Sequence, residues 1–378
     1  MRILHITEAT SAGVLTSVTA LARAQSAHPD VRSVTLACVA RGDSPPPAAI
    51  AEMCGHDVAM RVLPCRQRRR LIDLTRLIRT EIRRDTEAVV HLHSSRAGFI
   101  GRVLTALQGT AHRVVYSPHC FSFDRADLPA AARVAFRVLE RAALRAGRNL
   151  VLVSHSEAAL TARVLPGAAV ATVPNTVDVA ACRSAATRAG KPAGPVRIIH
   201  IGRIAGQKRP EVFAAVADAV AEARPGQAEF QWIGEGERGR LSSNVSVTGW
   251  LTPSHVREHI AVADMVLFTS AGEGMPMSLL EAQACGLPVI AHDVTGVRDI
   301  VRDGETGLLA NSSQDLIAAV LQLLDDPPAA TELGRAAAAH IAAHHDTSRL
   351  AETSLAAYRQ LLPAAVTAHH RDEEMTLS

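Results

Sequence analysis

Short runs of β-branched and apolar residues alternate along this chain with longer stretches whose apolar positions recur at helical spacing. In the first half, strands are expected at 2–7 (RILHIT), 33–40, 58–63, 88–93, 113–118, 149–154 and 169–174. Between them, residues 70–84 set Leu71, Leu74, Ile78 and Ile82 on one helical face, and 129–146 reads as a further helix. The pattern restarts with strands at 196–202, 229–234, 244–249, 264–270 and 288–293. Such alternation predicts the α/β class, with parallel sheets covered by helices. The stretch 183–195 (RSAATRAGKPAGP) lacks an apolar period and reads as a linker, and 369–378 (HHRDEEMTLS) as a frayed tail.

At 378 residues the chain exceeds one ordinary core. Two Rossmann-like domains are expected, 1–177 and 178–350, with 351–378 forming a helix that packs back on the first domain before the tail. Hydrophobic residues at 48% and charged residues at 20% exclude a disordered chain. No apolar run approaches the ~20 residues of a membrane span, and the N-terminus lacks the organisation of a secretory leader, so a cytoplasmic protein is expected. The six cysteines show no metal-binding spacing and read as free thiols.

A net charge of +3 conceals an asymmetry: residues 1–177 carry 23 Arg against 13 acids, whereas 178–378 carry 17 Lys plus Arg against 24 acids. A basic half suits nucleic acid, an anionic membrane or a phosphate-bearing substrate. Aromatics at 3% leave little for stacking on bases, which argues against nucleic acid. Residues 61–84 hold nine Arg, Arg66, Arg68, Arg69 and Arg70 among them. They read either as a peripheral contact with the inner face of a membrane or as a solvated loop and outer helix face.

The candidate chemistry concentrates in SAGEGMPMSLLEAQACGLPVIA (270–291). Pro276 is expected in the first turn of a helix, where its missing N–H costs nothing. The free N–H groups over Met275, Met277, Ser278 and Leu279, with the helix dipole, suit a diphosphate. Gly274 lets the backbone approach a ligand. Glu281 falls about 7–8 Å along the helix from Pro276, so Glu273 and Glu281 can bind hydroxyls at different parts of one extended ligand. Hydroxyls at both ends with phosphates between describe a nucleotide-sugar. His91 and His93 could be a metal pair, but the expectation is alternate sides of a buried strand end. No D-x-D triplet occurs, and no metal is expected to be required.

With Glu273, Glu281 and the following GLPVIAHDVTGVRDIVRDGETGLL (286–309), the chain resembles the retaining glycosyltransferases of family 4. The resemblance implies the GT-B fold: two facing Rossmann-like domains with a cleft between them. IGRIAGQKRP (201–210) resembles the element whose Arg and Lys hold the donor diphosphate, here Arg203 and Lys208. WIGEGERG (232–239) resembles the glycine turn, with Gly234, and VTGW (247–250) the base-binding loop, with Gly249 and Trp250. VPNTVD (173–178) resembles a hinge-side motif in which Asn175 faces the donor, with Thr176 where Gly is usual. SPHCFSF (117–123) resembles the element whose His, here His119, reaches the donor sugar, with Cys120 in the usual Gly place. EATSAGV (8–14) resembles the glycine-rich first loop but keeps only Gly13. HLHSSRAGFIGR (91–102) resembles bacterial members that build lipid-linked oligosaccharides or exopolysaccharides.

The resemblance implies transfer of a hexose-type sugar, N-acetylhexosamine included, from a UDP-sugar co-substrate. Anomeric configuration is retained by front-face transfer, in which the diphosphate leaves as the acceptor hydroxyl enters on the same side. Glu273, Arg203, Lys208 and His119 are the expected catalytic groups. The acceptor is open between a lipid-linked sugar and a small soluble molecule. Other readings also stay open: a UDP-sugar epimerase or a phosphorylase on the same architecture, or a non-catalytic partner subunit.

Overall fold

A computed structural model describes residues 1–42, 44–64, 69–188 and 194–367. Cys65, Arg66, Arg68, Lys191 and the tail from 368 onward lie outside these residues.

The first sheet contains β1 (Arg2–Thr7), β2 (Ser33–Ala40), β3 (Val58–Pro64), β4 (Val89–His93), β5 (Val114–Ser117), β6 (Asn149–Leu152) and β7 (Ala169–Thr172). All pair in parallel, in the order β3-β2-β1-β4-β5-β6-β7. Its helices are α1 (Ala12–Ser26), α2 (Pro47–Cys54), α3 (Arg70–Arg84), α4 (Ser95–Leu107), α5 (Ala130–Ala143) and α6 (His155–Val164). Then α7 (Val179–Arg188) leads to the second half. The expected linker therefore begins inside a helix; Cys182, buried against the second sheet's core, gives that helix a reason to form.

The second sheet contains β8 (Val196–Ile201), β9 (Ala228–Ile233), β10 (Val245–Val247), β11 (Met265–Phe268), β12 (Val289–His292) and β13 (Gly307–Ala310). Its order is β10-β9-β8-β11-β12-β13, again parallel. The helices are α8 (Pro210–Ala223), α9 (Pro253–Val262), α10 (Met277–Ala284), α11 (Ser313–Asp325) and α12 (Pro327–His344). Finally, α13 (Leu350–Leu361) and α14 (Ala364–Thr367) close the described chain. β13 was not expected from the apolar pattern: four residues, two of them half-buried, are too short to show a period.

Alternation across β1 divides its side chains between two layers. Leu4 and Ile6 pack with Leu74, Ile78 and Ile82 of α3, while Ile3 packs with Leu15 and Val18 of α1 and Leu355 and Tyr358 of α13. Leu71, expected on the buried face of α3, is instead exposed, as is Ile72 beside it. Among the described residues no helix is long and apolar enough to cross a membrane.

Candidate functional site

Both sheets change direction of winding at one point, between β1 and β4 in the first and between β8 and β11 in the second. Ligands of doubly wound sheets bind outside the carboxyl ends of the strands at such points. The loops after these strands supply the site.

Pro276 stands one place outside α10, with φ −71° and ψ 118°, and the helix begins at Met277. The expected first-turn position shifts by one residue because the extended ψ of Pro276 is that of a cap. No side chain caps this helix start. Gly13 likewise differs from expectation: it lies in the first turn of α1 rather than in a loop, since the helix already begins at Ala12. A Cβ placed on Gly13 would sit 3.8 Å from Met277 Cγ. The starts of two helices, one from each half, therefore meet across the cleft with their positive ends together.

Lys208 Nζ bonds Glu273 Oε1 at 2.6 Å, both side chains being largely enclosed, and lies 4.8 Å over the Phe268 ring. The two groups expected at diphosphate and sugar are thus one ion pair after β8 and β11. Arg203 is exposed on the loop after β8. Glu281 is half-buried one helical turn further on, and its apolar surroundings push its carboxyl up to about 7 against the opposing field of Arg257. Ser278 is half-buried, while Met275, Met277 and Leu279 are buried.

Gly234 and Gly249 form a bridge, and Trp250 beyond them is 63% exposed. Gly234 has φ 146°, and a Cβ there would stand 2.1 Å from the Gly202 carbonyl oxygen. Its glycine requirement comes from this contact between neighbouring loops, which holds the Arg203–Lys208 segment in place.

Asn175 acts as a staple. Its Nδ2 donates to the Met275 carbonyl at 2.8 Å, and its Oδ1 accepts from Ser17 of α1 at 2.6 Å. The amide expected to face the donor is thus engaged between α1 and the 272–277 loop. Thr176 is absent from the residues with positive φ, so the position does not need the usual Gly.

His119 and Cys120 carry φ 55° and 98°, two successive residues with Cβ atoms in left-handed backbone. Glu157 holds this loop by accepting the N–H groups of Cys120 (3.1 Å) and Val153 (3.2 Å). Its burial raises the carboxyl to about 7. A Cβ on Gly274 would meet the His119 carbonyl carbon at 2.8 Å, so the 272–277 loop and the His119 loop are in backbone contact.

The expectation that His91 and His93 face opposite ways is wrong. Residues two apart on a strand share a face, and the two rings lie 4.0 Å apart. His5 joins them, one nitrogen from each of the three lying within 4.8 Å of the others. Their bonds to His119, Gln25, Tyr358 and Ser117 occupy the ring nitrogens of all three.

Sequence spacing also missed a clasp between the halves. Ser156 at the start of α6 donates through its hydroxyl to Asp299, which also accepts its N–H at 3.0 Å; the same hydroxyl accepts the Gly296 N–H at 2.8 Å. A Cβ on Gly296 would stand 2.2 Å from the Gly274 oxygen. These residues lie about 140 positions apart and carry no local signature.

Residues 11–181 match the family described as Glycosyltransferase Family 4, and residues 195–326 match Glycosyl transferases group 1. The chain belongs to glycosyltransferase family 4. It is 25% identical, over 68% of its length and 70% of the relative's, to the UDP-Gal:alpha-D-GlcNAc-diphosphoundecaprenol alpha-1,3-galactosyltransferase of Escherichia coli. A D-inositol 3-phosphate glycosyltransferase of Arthrobacter sp. is 31% identical over 48% of the chain. The match covers 46% of that relative, so the chain spans about half of its length. The fold follows sucrose-phosphate synthase from Thermosynechococcus elongatus with TM-score 0.77, at 19% identity over 96% of this chain and 99% of that one. It also follows Anabaena HepE in complex with UDP-glucose, with TM-score 0.69 at 18% identity over 93% and 97%. The fold of this family 4 glycosyltransferase is therefore GT-B.

Proposed function

We propose that the protein transfers a hexose-type sugar, N-acetylhexosamine included, from a UDP-sugar to an acceptor hydroxyl with retention of configuration. The observation that carries this reading is the meeting of the α1 and α10 starts near the Lys208–Glu273 pair, with Arg203 exposed on the same loop as Lys208. Two helix N-termini and two cations suit a diphosphate whose negative charge grows as it leaves. Glu273, released in part from Lys208 by the phosphate, accepts sugar hydroxyls, and Glu281 accepts those of the ribose. Trp250 offers an exposed ring for the base. His119 meets the sugar from the other half, and the departing phosphate oxygen takes the acceptor proton. The UDP and UDP-glucose complexes of HepE support the donor class.

For the acceptor we favour a lipid-linked sugar diphosphate, which the name of the Escherichia coli relative matches. On α5, Val134, Phe136, Val138 and Leu139 are exposed between Arg133, Arg137 and Arg141. Exposed apolar and basic side chains of this kind suit peripheral contact with an anionic bilayer. Arg69 and Arg70 join that reading; Arg66 and Arg68 lie outside the described residues.

The test is incubation with UDP-glucose, UDP-galactose and UDP-N-acetylglucosamine, with and without an undecaprenyl-diphosphate sugar. The expected result is UDP release with one donor, faster with acceptor, and a product of the donor's anomeric configuration. An inverted product would overturn the retaining reading. No UDP release and no UDP binding would overturn the transferase reading.

A further inference from the structure

A continuous chain of hydrogen bonds runs from His119 through the core of the first half. His119 Nε2 meets His93 Nδ1 at 3.0 Å, His93 Nε2 meets His5 Nδ1 at 2.9 Å, and His5 Nε2 meets Gln25 Oε1 at 2.8 Å. Gln25 Nε2 reaches Ser354 Oγ (2.9 Å) and the Tyr358 hydroxyl (3.1 Å) on α13. Tyr358 meets His91 Nδ1 at 2.8 Å, and His91 Nε2 meets Ser117 Oγ at 2.8 Å. Every member except His119 is buried.

The proton order follows from two backbone carbonyls, which can only accept. Ser117 donates to the Val151 carbonyl, so it accepts from His91 Nε2–H. A neutral His91 then has a bare Nδ1, which takes the one proton of Tyr358. Ser354 donates to the Ala351 carbonyl at 2.8 Å, so it too can only accept along the chain. Gln25 must therefore turn its amide N–H₂ toward Ser354 and Tyr358 and its oxygen toward His5. His5 donates from Nε2, His93 donates from Nε2 to His5, and His119 donates from Nε2 to His93. Burial holds the imidazoles neutral, His5 and His119 being pushed down to about 4 and His91 and His93 well below their usual value.

We propose that Gln25, oriented by Ser354 and Tyr358, is a positioning residue that fixes His119 as the tautomer with a bare Nδ1, so that His119 only accepts a hydrogen bond from a donor-sugar hydroxyl. The role in sugar binding rests on the transferase reading above; the proton order does not. Among the described residues His119 Nδ1 has no protein partner, and its loop lies against Gly274 of the donor loop. The C-terminal helix α13 thereby sets the polarity of a group at the cleft.

The experiment is histidine-selective ¹⁵N NMR of the full chain, with His119 assigned from a His119→Gln variant. The expected wild-type spectrum has His119 protonated on Nε2 alone. Tyr358→Phe leaves this unchanged, because Ser354 still orients Gln25. The double variant Ser354→Ala/Tyr358→Phe frees the amide to turn, and a second His119 tautomer, protonated on Nδ1, appears. In parallel, calorimetry gives the ratio of UDP to UDP-glucose dissociation constants, which drops roughly 2- to 10-fold in the double variant while UDP affinity holds. A wild-type His119 protonated on Nδ1 overturns the proposal, even if the double variant fails to fold. So does a double variant with an unchanged tautomer. One equivalent of Zn²⁺ should leave the His5, His91 and His93 signals in place; their displacement would replace the relay with a metal triad. Absence of UDP binding removes the sugar role of His119 and the donor reading together, with the proton order still decided by the spectrum.

Discussion

Two loops meet at the cleft and solve the same packing problem differently. The loop at 272–277 approaches its neighbours through glycines: a Cβ on Gly274 would lie 2.9 Å from Cys120 N, and the Gly274 oxygen is itself approached by Gly296. The opposing loop at 119–120 uses side-chain-bearing residues in left-handed backbone, held by the Glu157 carboxylate. The 272–277 loop gains fit without strain. The His119 loop stores strain of about 1–3 kcal/mol at each of its two left-handed residues and places an imidazole in return. Close approach and chemical placement are thus separate demands, met here on opposite sides of one cleft.

The largest expected effect tests the donor side. Lys208→Ala removes a cation from the proposed diphosphate site and leaves Glu273 without its partner. Turnover of UDP-sugar is expected to fall about 10²- to 10³-fold. A fall under about 3-fold would show that Arg203 and the helix starts carry the charge alone.

Next comes the contact between the loops. Gly274→Ala puts a methyl against the 119–120 peptide and forces the halves apart. Donor hydrolysis and transfer should both drop at least about tenfold, since displacement of aligned groups by 1 Å can cost 10²-fold. Thermal stability should change less than activity, because the sheet cores are untouched. Full activity would mean that the loops separate during turnover.

The strain itself is tested by Cys120→Gly. Gly accepts φ 98° freely but loses more backbone entropy on folding, so a net gain of about 1 kcal/mol is expected, seen as a higher Tm. A loss of stability would remove the strain from the account.

The smallest effect is the pH dependence. His5 and His119 have folded values near 4, and His91, His93 and His200 are also depressed by burial. A depressed histidine binds its proton in the unfolded chain first, so each withdraws stability as pH falls from about 6.5 toward 4. Glu157 and Glu281, raised to about 7, act the other way: the folded state holds their protons, and their contribution is lost as pH rises through 7. The histidines outnumber them, so Tm should fall between pH 7 and 5. A rise would mean the carboxylates dominate.

Much of the fold was legible because strands buried on both faces read as apolar runs, as at RILHIT and DMVLFTS. β13 escaped because it is short, and α7 because its helix rests on two buried residues near its start, Val179 and Cys182, rather than on a full stripe. A loop and helix start after β11 were legible from Gly274 and Pro276, although the helix starts one residue late. The Lys208–Glu273 pair was not, since nothing in spacing says that two groups assigned to one ligand bond each other without it. The histidine chain was misread for a plainer reason: period two puts His91 and His93 on one face. Its continuation through Gln25 and Tyr358 joins residues more than 300 positions apart, which no local pattern carries.

The proposed diphosphate lies between the α1 and α10 starts and is held by Lys208. Calorimetry of UDP and of uridine, on the wild type and on Lys208→Ala, tests it most directly. UDP is expected to bind the wild type far more tightly than uridine, Lys208→Ala to weaken UDP at least about tenfold, or 1.4 kcal/mol, and uridine to be unaffected. Equal loss for uridine and UDP, or none for either, would contradict it.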